Sequence, residues 1–193
     1  MNWSNYVKQI APYGLDTNVD ASIEKLVAAI CQRVRASTTI WCFGNGGSAT
    51  TAEHFATDLL LLGSRVGVEC KAISLTAQIA SLTAIANDFE YSQTIERQLK
   101  ALMSPGDLVV GFSASGNSKN VINALKFCQS SDIESFCFLG FDGGEVLKSG
   151  VTQEILFTSE PKLYGLIENL HLIACHHIID ELVAMEWTQR EPL

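Results

Sequence analysis

The sequence predicts a single α/β domain over residues 1–193, a three-layer αβα sandwich built on a mainly parallel sheet with an N-terminal helical extension. Three observations predict it. Apolar runs of strand length alternate with stretches of helical period, as in chains that cover a parallel sheet on both faces. The strand runs are almost continuously apolar, as strands buried on both sides must be. At 193 residues with 47% hydrophobic side chains and 4 prolines, the chain can bury a substantial core and needs no second domain.

The elements follow in order. To about residue 36 the pattern is helical: Ile23, Leu26, Val27, Ile30 and Val34 recur at spacings of three and four, with Asp20 as the expected N-cap. Residues 1–36 form the extension and 37–193 the core. Thr38 to Phe43 is a β-branched and aromatic strand that stops at Gly44-Asn45-Gly46-Gly47-Ser48, and a helix is expected from Thr50 to Leu62. Cys70 to Leu75 is a short strand. Helical patterns over about 77–86 and 91–103 are joined at Asn87-Asp88-Phe89. Asp107 to Phe112 is a strand ending at Ser113-Ala114-Ser115-Gly116-Asn117-Ser118, before a helix over about 118–129. Ser135 to Leu139 and Glu154 to Phe157 complete the strands, with a short helix after Asp142-Gly143-Gly144 between them. A long helix spans about 162–187.

Thirteen basic against 21 acidic side chains give a net charge of −8, which argues against nucleic acid as a partner. The six cysteines form no C-x-x-C and sit mostly in apolar runs, as buried thiols do in a reducing compartment. Met1 to Lys8 lacks the layout of a signal peptide, and no apolar stretch approaches the roughly 20 residues of a membrane span. A cytoplasmic protein with no membrane partner is expected.

The chemistry is expected at the two glycine- and serine-rich loops. Each follows a strand and opens a helix, where backbone N–H groups face an anion. Ser113, Ser115 and Ser118 surround one such helix start, and Gly116 allows close approach of the backbone. A single loop of this kind is an ordinary turn with an N-cap; two make a site. Neither is a P-loop. Gly44 to Ala49 fits G-x-G-x-x-G/A, but Glu69 precedes the next strand and Leu75 ends it, leaving a nicotinamide site with weak support.

The four histidines lie on two predicted helices. His54 and Asp58 share a face at i and i+4. Glu168 and His171 are i and i+3, whereas His176 is rotated from Glu168 by about 80°. A histidine and a carboxylate on each helix suit a metal or an acid–base pair. His171 and His177 are read as structural and Glu53 as solvated.

Taken together, Gly44 to Ser48, His54-Phe55-Ala56, Leu82 to Phe89 and Ser113 to Ser118 resemble the sugar isomerase (SIS) domain, whose architecture is flavodoxin-like. More narrowly they resemble the phosphoheptose isomerase family, which converts sedoheptulose 7-phosphate to D-glycero-D-manno-heptose 7-phosphate through an enediol for surface-polysaccharide precursors. The resemblance implies that Ser113, Ala114, Ser115 and Ser118 hold the phosphate. It places Asn45, Gly46, Gly47, Ser48, Asn87 and Asp88 on the sugar. It implies zinc on His54, Asp58, Glu168 and His176, with Asp58 and His176 catalytic and Asp58 and Glu168 also touching substrate. It further implies a homotetramer, with the N-terminal helices used in assembly.

Four departures stand out. Asp58 replaces a Glu and is shorter by about 1.5 Å of reach, where about 1 Å of misplacement can cost a hundredfold in rate. Glu168 replaces Gln, and Ala114 replaces Thr. Leu59 to Gly67 lacks a basic, aromatic stretch. An isomerase for another sugar phosphate therefore remains an alternative. So does a non-catalytic tetrameric SIS protein similar to the replication-initiator-associating regulator, and, ranked last, a sugar-phosphate sensor.

Overall fold

The computed structural model describes residues 2–15 and 17–187. The expected domain, 1–193, thus extends beyond the described residues at both ends. In chain order the elements are α1 (Trp3–Ile10), α2 (Thr17–Ala36), β1 (Thr39–Phe43), α3 (Gly47–Leu60), α4 (Leu62–Val66), β2 (Lys71–Ser74) and α5 (Ile79–Asp88). Then come α6 (Thr94–Leu102), β3 (Leu108–Ser113), α7 (Lys119–Ser130), β4 (Glu134–Phe141), α8 (Gly144–Ser149), β5 (Gln153–Thr158) and α9 (Tyr164–Ala184).

All five strands pair in parallel, in the order β2-β1-β3-β4-β5. Both faces of the sheet are covered, as expected. Ile40 and Cys42 of β1, with Leu108, Val110 and Phe112 of β3, pack with α2, α3 and α9. Their strand neighbours Trp41, Phe43 and Val109 face the other way, toward α6, α7 and α8. This alternation is the two-residue period of a strand, hidden in the sequence because both faces are apolar.

Three details differ from expectation. Asp20 lies within the first turn of α2, not at its cap, because the helix begins at Thr17; a carboxylate there still opposes the positive end of the helix. The helix expected from Thr50 starts at Gly47, so the glycine loop itself supplies the helix N-terminus. The division at 36/37 does not separate two cores, since Leu26 and Ile30 of α2 are fully buried in the same cluster as the sheet. Only α1 stands as an extension, and it buries no residue.

All six cysteines are free and buried, and burial pushes their thiols up. No helix among the described residues is long and apolar enough to cross a membrane.

His171 is structural, as read from the sequence. It is fully buried among Phe112, Phe138 and Phe157, and Nε2 lies 3.1 Å from the Leu139 carbonyl. A carbonyl only accepts, so Nε2 carries the hydrogen, and Nδ1, buried with no partner, is the bare nitrogen of a neutral ring. Burial pushes its pKa down to about 4, against a smaller upward pull from the Leu139 hydrogen bond. In the unfolded chain the ring takes its proton near pH 6.5. Between these values the unfolded state binds more protons, so stability falls as pH drops from about 6.5 to about 4. The contribution of this one group is on the order of 3 kcal/mol. Urea denaturation across that range should therefore show the gap between the parent and His171→Gln narrowing as the solution is acidified. A gap independent of pH would contradict the assignment.

Candidate active site

The chain leaves β1 for β2 on one side and returns to β3 on the other, so the strand order reverses between β1 and β3. The connections at the carboxyl ends of these two strands are forced apart there, which opens a crevice. The two loops singled out by the sequence are these connections. A cavity of about 180 Å³ lies between them, lined by Asn45, Ser48, Phe112, Ser113, Ala114, Ser115, Ser118, Tyr164 and Glu168.

The serine loop is built to donate hydrogen bonds. Gly116 N–H donates to Ser113 Oγ at 3.1 Å, and Asn117 N–H donates to Ser115 Oγ at 3.3 Å. A hydroxyl that accepts from the backbone keeps its own hydrogen for a ligand. Ser118 occupies the N-cap of α7 but makes no capping bond with its side chain, leaving the helix start open to an anion. The loop is strapped in place by α8: Val146 N–H donates to the Gly116 carbonyl and Glu145 N–H to Asn117 Oδ1. Gly116 has φ of +61°, and a Cβ there would strike the Gly143 carbonyl, so glycine is required twice over. No basic side chain lines the cavity.

The helix α3 starts at Gly47 against this cavity and carries His54 two turns on, about 10 Å further along its axis. It packs against α9, which brings His176 beside it. The Nε2 atoms of His54 and His176 are 3.3 Å apart, and His54 Nε2 is 3.3 Å from Asp58 Oδ2. One donor atom from each of His54, Asp58 and His176 lies within 4.8 Å of the others. Two imidazole nitrogens cannot approach so closely with lone pairs facing. Either one carries a hydrogen, or a cation lies between them. Two nitrogens and a carboxylate oxygen with an open side make a donor set that zinc accepts.

Glu168 stands outside this group. Its carboxylate is directed at Gly47, close enough that a Cβ on Gly47 would overlap it, and it faces the positive end of α3. Asn87 and Asp88 end α5 and are exposed, with Asn87 Nδ2 donating to Asp88 Oδ1 at 2.9 Å; neither lines the cavity within this chain. The structure thus joins Asn45, Ser48, the serines, Ala114 and Glu168 in one place, and His54, Asp58 and His176 in another beside it. β2 ends at Ser74 without an acid, so the ribose-binding carboxylate of a dinucleotide site has no counterpart.

The sequence and the fold are shared with known proteins. The SIS domain family model matches residues 2–136. A probable phosphoheptose isomerase of Thermoplasma acidophilum is 36% identical over 180 residues, spanning 90% of this chain and 97% of its own length. The chain belongs to the phosphoheptose isomerase family of SIS-domain proteins. The phosphoheptose isomerase of Shewanella loihica is 32% identical over 185 residues, 91% of this chain and 92% of its own. The solved phosphoheptose isomerase of Neisseria gonorrhoeae superposes with a TM-score of 0.81 at 26% identity, covering 94% of this chain and 97% of that one.

Sequence reading of this family member missed Tyr164 and Phe112 on the cavity wall. Tyr164 lies four residues before Glu168 on α9, a same-face spacing that could have revealed it. It also missed Arg65 of α4, whose Nη2 is 3.5 Å from Asp58 Oδ1 while the other carboxylate oxygen faces His54.

Gly47→Ala tests the close approach of Glu168 to the start of α3 as part of the binding site. The added methyl meets only the end of a flexible side chain, and alanine favours the helix it starts. The melting temperature should stay within about 3 °C of the parent's. Affinity for a phosphorylated sugar, read as the ligand-induced rise in melting temperature, should fall by about tenfold. Unchanged affinity would place Glu168 outside the binding site.

Proposed function

We propose that this protein interconverts sedoheptulose 7-phosphate and D-glycero-D-manno-heptose 7-phosphate, as the names of its relatives indicate for that family. One observation carries the reading. The serine-loop cavity reaches the start of α3, and the His–Asp–His group lies about two turns further along the same helix. Such an offset suits a substrate whose phosphate is remote from its carbonyl.

In this reading Ser113, Ser115 and Ser118 hold the phosphate, with the Ala114 backbone between them. Asn45, Gly46, Gly47, Ser48 and Glu168 line the sugar, and Asn87 and Asp88 would reach it from α5 of a neighbouring subunit. Binding the phosphate far from the reacting carbons holds C1 and C2 in place. Asp58 removes the proton from C1 of the ketose and returns it at C2, passing through the enediol. His176 moves the proton between the two oxygens. His54, Asp58 and His176 would hold zinc, which when bound supplies a Lewis acid to the carbonyl. Asp58 reaches less far than a Glu, and the Arg65 guanidinium fixes one of its oxygens.

We also infer a cytoplasmic homotetramer. Two elements support assembly: α1 and α5 bury no residue, although Ile79, Phe89 and Tyr91 are exposed on and just after α5. An apolar helix gains its stability by covering that face.

His176→Ala tests the reading. Turnover of sedoheptulose 7-phosphate should fall by about a thousandfold, with the melting temperature and inorganic phosphate affinity retained. A chelator should silence the parent, and zinc should restore it. A variant that isomerises like the parent would overturn the assignment of α9. A parent that binds the sugar without isomerising it would favour the non-catalytic reading.

A further inference from the structure

Asn45 lines the cavity, but most of its carboxamide is already engaged inside the protein. Its Nδ2 donates to Asn120 Oδ1 at 2.9 Å, and Asn120 Nδ2 donates back to Asn45 Oδ1 at 2.9 Å. The Tyr91 hydroxyl donates to the same Asn45 Oδ1 at 2.7 Å. A carbonyl oxygen has two lone pairs, so Oδ1 is filled. The amide nitrogen has two hydrogens, and one is used. What Asn45 has left to offer is a single N–H.

Asn120 is 2% exposed and sits on the first turn of α7, two residues after Ser118. Turning either amide alone by half a turn sets like against like, and turning both together takes Oδ1 away from the Tyr91 hydroxyl that donates to it, so the Tyr91 bond selects the orientation. Tyr91 approaches from the turn after α5, the segment that ends in Asn87 and Asp88.

We propose that Asn120 and Tyr91 are positioning residues that lock the Asn45 carboxamide, so that Asn45 meets the sugar only as a hydrogen-bond donor. The recognised group is then an oxygen acceptor, a carbonyl or a hydroxyl lone pair, and a sugar nitrogen bearing hydrogens is rejected at that position. The ligand in this inference rests on the isomerase reading above; the lock itself does not. Because Tyr91 belongs to the α5 turn, the lock also ties the polarity of Asn45 to the seating of that segment.

Two variants each remove one donor to Oδ1. Asn120→Asp keeps the shape and still accepts from Asn45, but cannot donate back; Tyr91→Phe loses only the hydroxyl. Each should lower kcat/KM for sedoheptulose 7-phosphate by about tenfold, mainly through KM. In Tyr91→Phe, affinity for inorganic phosphate should stay within about twofold of the parent's, which damage to the fold near the serine loop would not allow. Added to Asn45→Ala, either change should cost less than about twofold more, since all act through one amide. A parental KM in both variants, or losses that multiply with Asn45→Ala, would overturn the proposal.

A second measurement needs no turnover and separates this proposal from the isomerase reading. In NMR hydrogen exchange on the parent, one Asn45 Nδ2 hydrogen should be protected and the other should exchange with water. Protection should persist in Tyr91→Phe, which keeps the fold even if Asn120→Asp does not. Rapid exchange of both hydrogens in the parent would overturn the lock whatever sugar the protein isomerises.

Discussion

The site depends on one packing contact, that of α3 against α9 on one face of the sheet. The two helices pack directly on each other, and buried residues of both belong to the same cluster as that face of the sheet. With that contact fixed, Gly47 at the start of α3 meets Glu168 near the start of α9. Two to three turns on, His54 and Asp58 meet His176. His171 anchors the same length of α9 from below, its ring wedged among Phe112, Phe138 and Phe157 and tied to the end of β4. A change in the crossing of these helices would separate the acid from its imidazoles without touching any of them.

The second constraint is topological. A parallel sheet ordered 2-1-3-4-5 has one place where neighbouring connections diverge, and the glycine and serine loops occupy it. This explains how a protein of net charge −8 offers an anion site with no lysine or arginine in its lining. Attraction comes from backbone N–H groups, hydroxyls and the start of α7, all fixed by the fold before a ligand arrives. Glu168 in the same lining makes its end of the cavity negative, which in the proposed reading directs the phosphate to the serine end.

Much of this was legible in the sequence because strand ends and helix starts carry their own chemistry. The runs ending at Phe43 and Phe112 announced buried strands, and the glycine and serine clusters after them announced turns that open helices. Other features were legible only through the family resemblance. His171 and His176 lie about 140° apart around one helix, and periodicity alone does not say which faces the sheet. Some were not legible at all. The pairing of Asn45 with Asn120 spans 75 residues and depends on the neighbouring positions of β1 and β3. The separation of Glu168 from the His–Asp–His group depends on which way its side chain turns at the start of α3. The apolar α5 reads as a helix that ought to be buried, yet within one chain none of its residues is.

The most direct test of the whole account is isomerisation of sedoheptulose 7-phosphate by the zinc-loaded protein in deuterated water, with the aldose product read by NMR. Proton transfer through an enediol by a carboxylate predicts that part of the heptose 7-phosphate forms with deuterium at C2, taken up whenever the abstracted proton exchanges with solvent before it is returned. Formation of no aldose, with the sugar phosphate still bound, would contradict the account and leave a cavity that recognises its ligand without transforming it.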